Sequence, residues 1–399
     1  MTERRSPALE VFLTFLRLGC TSFGGPIAHL GYFRAEFVER RRWLSDAAYA
    51  ELIGLAQSMP GPASSQVGFA IGLLRGGWLG GLAAWTGFTL PSAALMLAFA
   101  FGEALVSGRR GAAILHGLEL VAVAVVAQAV LSMRRTLAPD LLRIGIAVLG
   151  FLIVMISPPQ SGTLLAIAAG ALAGLALLRQ SDGNRADDSI ADVPEHQLTR
   201  RSAHLLFALF IALLAASFLP ARTTAASLLA ALFRTGALVF GGGHVVLPLL
   251  ASAIAQHHWL PQSAFLAGYG AAQALPGPLF SIGAYVGAAA RPSAHPLLLG
   301  LAALVALFLP GLLLLAAVLP YWSTLRQRPR IAAVLGGINA SVVGVLAAAL
   351  YEPLLITAVR TIPDVLIAAS AFLLLVRWRT PPWIIVLGVT ALSIVTGLF

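Results

Sequence analysis

The sequence predicts an all-α polytopic membrane protein of two homologous six-run repeats, inverted relative to each other and joined by a linking helix. Three observations predict it. Of the 399 residues 59% are hydrophobic and only 11% charged, where a soluble domain carries roughly 25% charged residues. The apolar residues fall in runs close to the roughly 20 needed to span a bilayer. The order of motifs in the first half recurs in the second. The 39 glycines and 23 prolines suit membrane helices, where they permit close packing and deliberate breaks.

The apolar runs are 8–30, 47–74, 77–106, 111–133, 141–157 and 162–178, then 202–219, then 224–250, 262–290, 294–320, 331–353, 363–376 and 382–398. The only long polar stretch, 179–201, holds Asp182, Asp187, Asp188, Asp192 and Glu195 beside four arginines. This divides the chain into an N-terminal repeat (1–178), a polar linker with a linking transmembrane helix (179–223) and a C-terminal repeat (224–399). Runs beyond about 25 residues imply a kink, a tilt or a re-entrant piece.

The repeat is legible residue by residue. Arg17-Leu18-Gly19 through Phe23-Gly24-Gly25 aligns with Arg234-Thr235-Gly236 through Phe240-Gly241-Gly242 at an offset of 217. Trp43-Leu44 aligns with Trp259-Leu260, and Gln57-Ser58-Met59-Pro60-Gly61-Pro62 with Gln273-Ala274-Leu275-Pro276-Gly277-Pro278, both at 216. Pro91 meets Pro310 at 219, and Gly117 meets Gly337 at 220. Repeated halves of this kind are a signature of secondary transporters.

Thirteen spans would set corresponding segments seven crossings apart, an odd number that inverts the second repeat. With the N-terminus inside, inside loops then hold fifteen arginines and outside loops nine, a bias that fits the positive-inside rule. The loop 31–46 is the discordant piece, with Arg34, Arg40, Arg41 and Arg42 on the nominal outside. It fits an amphipathic segment at the interface; separately, if 47–74 or 262–290 dips in and returns without crossing, the count of spans changes. The net charge of +10 comes entirely from arginine, scattered in ones to threes between apolar runs. That pattern anchors loops and gives no expectation of nucleic-acid binding.

Residues that could carry chemistry cluster at the breaks. Arg17 and Arg234 lie inside apolar runs at the same repeat position. A buried arginine costs at least a few kcal/mol, so each should face a cavity or a partner, with snorkelling to the headgroups as the alternative. Phe23-Gly24-Gly25-Pro26 and Phe240-Gly241-Gly242-Gly243 should unwind their helices. That exposes backbone N–H groups and points a helix N-terminus inward, an arrangement suited to an oxyanion. Close helix packing is the competing account. Pro60-Gly61-Pro62 and Pro276-Gly277-Pro278 cannot continue a regular helix. They are either hinges or, with Gln57, Ser58, Ser64, Ser65, Gln66, Gln273 and Ser281 around them, sources of neutral donors for an anion. His244 is the better placed of two histidines, His29 and His244, beside the glycine breaks. Glu119 lies within a run, but its repeat mate is Asn339, so it has no symmetric role. Two buried arginines, helix N-termini and few buried acids make a positive site and point to a small oxyanion.

The one cysteine, Cys20, excludes an intrachain disulfide and a multi-cysteine metal site. No Walker A pattern, Ser-His-Asp set or HExxH is present, and no paired carboxylates stand on one face. The expectation is a non-enzyme without metal or cofactor. A channel and a lipid-processing membrane enzyme are the rival classes.

These residues resemble the chromate ion transporter (CHR) family in its long two-domain form. The resemblance rests on Phe23-Gly24-Gly25-Pro26 with the Arg-rich stretch to Trp43-Leu44, on Gln57 through Pro62, and on Gly241-Gly242-Gly243-His244 with Pro248 and Pro276-Gly277-Pro278. It covers essentially the whole chain outside 179–223. It implies gradient-driven chromate export across the bacterial inner membrane and chromate resistance. Sulfate, of the same shape and charge, is the expected competitor, and a sulfate or other small-anion carrier is the alternative function. The lipid bilayer is the expected surroundings, and a homodimer stays open.

Overall fold

The computed structural model describes residues 6–103, 108–158, 161–178, 199–240, 243–290, 295–325 and 328–396, and among them there is no β-strand. Side-chain caps fix many helix starts. Ser6, Ser45, Asp140, Thr199, Thr223 and Thr361 each accept from the backbone N–H three residues on, satisfying a donor that a helix end leaves orphaned.

The first helix, α1 (Pro7–Thr21), ends at Ser22, and α2 (Gly25–Phe33) continues through a π-helical turn, Arg34–Arg40. The chain doubles back here. Arg41 reaches back to Glu10 on the first turns of α1 (2.9 Å), and Arg17 pairs with Glu36 (3.1 Å). Helices α1 and α2 therefore form a hairpin whose tip is the Ser22–Gly25 break.

Helices α3 (Asp46–Ser58) and α4 (Ala63–Glu103) repeat the device. The tip is the Pro60-Gly61-Pro62 break, and the first part of α4 returns to the same face, where Arg75 pairs with Glu10 (3.2 Å). Non-helical backbone at Gly76 and Gly77 then turns the chain round. The second part of α4 runs the other way and packs along the first, Gly80 against Gly72.

Next come α5 (Gly108–Leu137), α6 (Leu141–Ile156), α7 (Gly162–Leu177) and α8 (Arg200–Ala216). The later elements follow the earlier order: α9 (Thr224–Leu238), α10 (Val246–His257), α11 (Gln262–Ala274), α12 (Ile282–Ala289), α13 (Pro296–Val318), the short α14 (Trp322–Leu325), α15 (Pro329–Ala349), the single turn α16 (Ile356–Ala358), α17 (Ile362–Arg377) and α18 (Pro382–Thr396).

Packing crosses between the early and late parts of the chain. Helices α6 and α7 pack on α15, while α17 and α18 pack on α5. Small residues allow it: Gly150 and Gly170 face Ser341, Gly174 faces Gly337, and Gly117 faces Ser393. The Ser341 hydroxyl donates to the Ala166 carbonyl at 2.6 Å. Close contact through glycine and serine is how helices associate where lipid removes the hydrophobic drive.

Among the described residues, four helical stretches are long and apolar enough to cross a membrane: Ala63–Gly102, Gly111–Leu137, Pro296–Tyr321 and Pro329–Ala358. Outward leucines on the flanking helices, among them Leu152, Leu172, Leu205, Leu366 and Leu387, are exposed. A continuous apolar exterior of this kind needs a lipid solvent.

Candidate functional site

The two kinds of break meet. Gly61, at the tip between α3 and α4, donates its N–H to the Val239 carbonyl at the end of α9 (2.7 Å). Gly277, at the tip after α11, donates to the Ser22 carbonyl at the end of α1 (3.0 Å). Ser22 and Val239 differ by 217 positions, and Gly61 and Gly277 by 216. The two bonds are therefore counterparts under the sequence offset, each tying a break in one half to a break in the other. Both glycines need their residue type. Gly61 has φ +125° and Gly277 φ +96°, where a side chain is strained. A Cβ on Gly61 would stand 2.9 Å from the Gly311 backbone.

The tips are braced by side chains. Gln66 donates from Nε2 to the carbonyls of Pro60 (2.9 Å) and Gly311 (3.0 Å). His29 sits 3.2 Å from the Ser22 carbonyl through Nε2 and 3.2 Å from the Ser64 hydroxyl through Nδ1. A carbonyl only accepts, so the proton lies on Nε2 and Nδ1 accepts from Ser64. His244 Nδ1 and the Tyr269 hydroxyl are 3.1 Å apart.

Several buried polar atoms near the crossing have no protein partner: Ser22 Oγ, Ser65 Oγ, Thr89 Oγ1, Trp85 Nε1 and the acceptor Gln66 Oε1. Ser22, Ser65 and Gln66 belong to the tips. Thr89 and Trp85 lie on α4 within two turns of Ser92, the residue that faces Gly277. A buried donor left unpaired costs about 1–3 kcal/mol, so a group of them marks a place that water or a ligand completes.

The remaining expected residues are placed as follows. Pro60, Pro62, Pro276 and Pro278 are buried at the tips. Gly24 and Gly25, with φ +99° and +77°, open α2, and Pro26 lies against Gly243. Phe23 packs near Trp383, ring centroids 6.1 Å apart. Phe240 is half-buried, Gln57 is exposed, and Ser58 is tied to its own helix through the Gly54 carbonyl. Gly241 and Gly242 lie outside the described residues.

The two arginines do not meet. Arg17 is bound to Glu36, with its side chain 55% exposed. Arg234 donates to the Ser217 carbonyl and lies over the Phe218 ring. Each stands five residues before its break, about 7.5 Å along the helix axis.

Glu36 also receives Arg40 (2.9 Å) and Arg41 (2.6 Å). Burial pushes its carboxyl up, but the Arg41 hydrogen bond and the Arg17 and Arg40 charges outweigh this and hold it below its ordinary value. Arg41 and Arg75 both lie near the Trp43 ring, 5.2 and 5.1 Å from its centroid, and Phe37 stacks on it.

Sequence reasoning missed Ser22, Trp85 and Thr89. Ser22 was within reach, since it immediately precedes Phe23-Gly24-Gly25. Trp85 and Thr89 sit in an unbroken helical run and carry no local signal. Among the described residues no group of histidine, cysteine and acidic side chains could hold a metal ion.

An apolar helical exterior with broken helices crossing at its centre defines an integral membrane transporter. The chain belongs to the chromate transporter family, whose model matches residues 9–175 and 226–394. It is 29% identical over 343 residues to a probable chromate transport protein of Synechococcus elongatus, covering 84% of this chain and 81% of that one. It is 26% identical to the chromate transport proteins of Pseudomonas aeruginosa (372 residues, 91% and 85% covered) and Cupriavidus metallidurans (381 residues, 93% and 88% covered). No solved structure matches the chain.

Proposed function

We propose that this protein is a secondary transporter exporting chromate across the bacterial inner membrane, which gives chromate resistance, with sulfate as a competing anion. The observation that carries the reading is the reciprocal pair of tip bonds, Gly61 to Val239 and Gly277 to Ser22, surrounded by buried donors without partners. Discontinuous helices meeting at one centre are how carriers hold a charged substrate. Hydroxyl and indole donors can wrap a tetrahedral dianion, and helix N-termini add partial positive charge.

The repeats 1–178 and 224–399, joined through 179–223, are inverted in this reading. If each hairpin returns to its own face, nine helices cross: the second part of α4, α5 to α8, α13, α15, α17 and α18. This count replaces thirteen. The segment 31–46 then moves to the N-terminal face, and the loop arginines divide nineteen to five in place of fifteen to nine. The sharper bias supports an inside N-terminus. Arg17 and Arg234 then stand on opposite sides of the crossing, one at each approach, and one repeat rocks against the other to expose each in turn. Arginine supplies bidentate donors matched to such an anion.

Chromate and sulfate uptake into inverted vesicles, with the proton gradient intact and then collapsed, tests the reading. Gradient-dependent chromate accumulation that sulfate competes for is expected. Downhill flux alone would identify a channel, and no flux of either anion would overturn the substrate.

A further inference from the structure

A second buried polar cluster lies away from the crossing, between α5 and α17. His116 sits between two carboxylates: Nδ1 is 3.3 Å from Glu119 Oε2, and Nε2 is 3.0 Å from Asp364 Oδ1. His116 and Glu119 are on α5 and Asp364 opens α17, so the cluster bridges the early and late parts of the chain. All three side chains are at most 5% exposed. Arg360, more than half exposed, reaches in to Glu119 (3.1 Å), and the backbone N–H groups of Arg360 and Thr361 bind the other oxygen of Asp364.

The ring geometry decides the proton count. A neutral imidazole has one N–H and one lone pair, so it can donate to only one of the two carboxylates. The other contact requires either a second ring proton or a protonated carboxyl. The trio therefore holds one proton more than a neutral histidine with two carboxylates. With that proton and Arg360 the buried charges cancel. Without it a net negative charge is left in a site that cannot solvate it.

Other charged or titratable groups near α5 are few. The helix itself carries Arg109 and Arg110 at its start and Arg134 and Arg135 at its end. Of the helices packed on it, α18 carries none, α11 carries Tyr269, whose hydroxyl faces His244, α15 carries Arg330 in its first turn, and α17 adds Arg377 at its far end. The turn Leu350–Leu355 adds Tyr351 and Glu352. The cluster is also one-sided. At the offset of 220, Gly336 and Asn339 stand where α5 has His116 and Glu119.

We propose that His116, Glu119 and Asp364 form the proton-binding site that couples anion movement to the proton gradient. Motion of α17 relative to α5 would part Asp364 from His116, and the proton would leave past Arg360 at the exposed edge. This rests on the transport reading above but names a site that reading does not use.

Reconstituted full-length protein tests it. Wild type should show chromate counterflow, and separately should accumulate chromate under an imposed pH gradient. His116→Gln and Glu119→Gln should keep counterflow and lose gradient-driven accumulation by roughly tenfold or more, the scale of an ordinary coupling energy. Gradient-driven accumulation retained in both variants overturns the proposal. Wild-type counterflow without gradient-driven accumulation also overturns it, while leaving carrier-mediated chromate exchange standing. Absence of wild-type counterflow removes both. Should neither variant reach the membrane, weakly buffered solubilised wild type decides: chromate addition must shift the bulk pH, and no shift overturns the site.

Discussion

The two tips that meet at the centre share a backbone and differ in side chains. The N-terminal repeat brings Ser22, Ser64, Ser65, Gln66 and Thr89 to the crossing; the corresponding positions of the C-terminal repeat are Val239, Phe280, Ser281, Ile282 and Phe308. Each Pro-Gly-Pro tip donates the equivalent hydrogen bond. The N-terminal repeat supplies hydroxyls and an amide there, and the C-terminal repeat mostly apolar side chains. Shared backbone geometry keeps the crossing intact. The unshared side chains leave most of the polar chemistry to one repeat. A repeat can thus preserve a mechanical device in both copies while specialising only one for recognition.

The arginines differ in the same way. Arg17 is held by a carboxylate, whereas Arg234 is held by a neutral carbonyl and an aromatic face. The largest expected effect falls here. Replacing either arginine by glutamine should abolish chromate transport with the protein still inserted, as read by vesicle uptake against membrane abundance. Full transport in both variants would remove the arginines from the pathway.

Next is Gly61→Ala. The left-handed backbone costs about 1–2 kcal/mol for a side chain. Overpacking against the fixed Gly311 backbone adds about 1–3 kcal/mol. Gly277→Ala meets first the Ser92 hydroxyl at 2.9 Å, which can rotate, so it should cost less. Thermal unfolding in detergent ranks the two, and an equal or reversed order would break the comparison between tips.

Ser65→Ala should weaken chromate binding by about tenfold, the worth of a hydrogen bond to a charged group at roughly 1.5–3 kcal/mol, with little change in stability. Ser281→Ala, its counterpart, should change binding less than about twofold if the polar chemistry is one-sided. Isothermal titration with chromate separates them.

The smallest effect is on the Glu36 face. Because that carboxyl is held below its ordinary value, its contribution to stability is present above the unfolded carboxyl range and is lost as pH falls through the lower folded value. Glu36→Gln should cost about 1–3 kcal/mol at neutral pH. It should also flatten the acid limb of the stability curve. An unchanged acid limb would show that the three arginines find other partners.

Much of this was legible in sequence. Period-free apolar runs, the offset repeat and the glycine and proline breaks are local signals, and they led to the helical membrane class and to both tips. The return of α2 towards the start of α1 was not legible, because run length is the same for a span and for two short antiparallel helices. The misfit arginines of 31–46 were its only trace. Which arginine finds which partner was also hidden: Glu36 is an unremarkable surface acid until the hairpin folds it onto Arg17. The His116 cluster joins residues 248 positions apart, and no local pattern announces such a contact.

The crossed packing of the peripheral helices has a consequence for biosynthesis. The α6–α7 hairpin leaves the ribosome long before its seam partner α15 exists. A nascent chain halted in the linker therefore holds an open glycine-lined groove towards lipid. Closure waits for α15, and α5 in turn waits for α17 and α18. Neither half reaches its final burial alone, so two separately translated halves would be expected to seek each other in the bilayer.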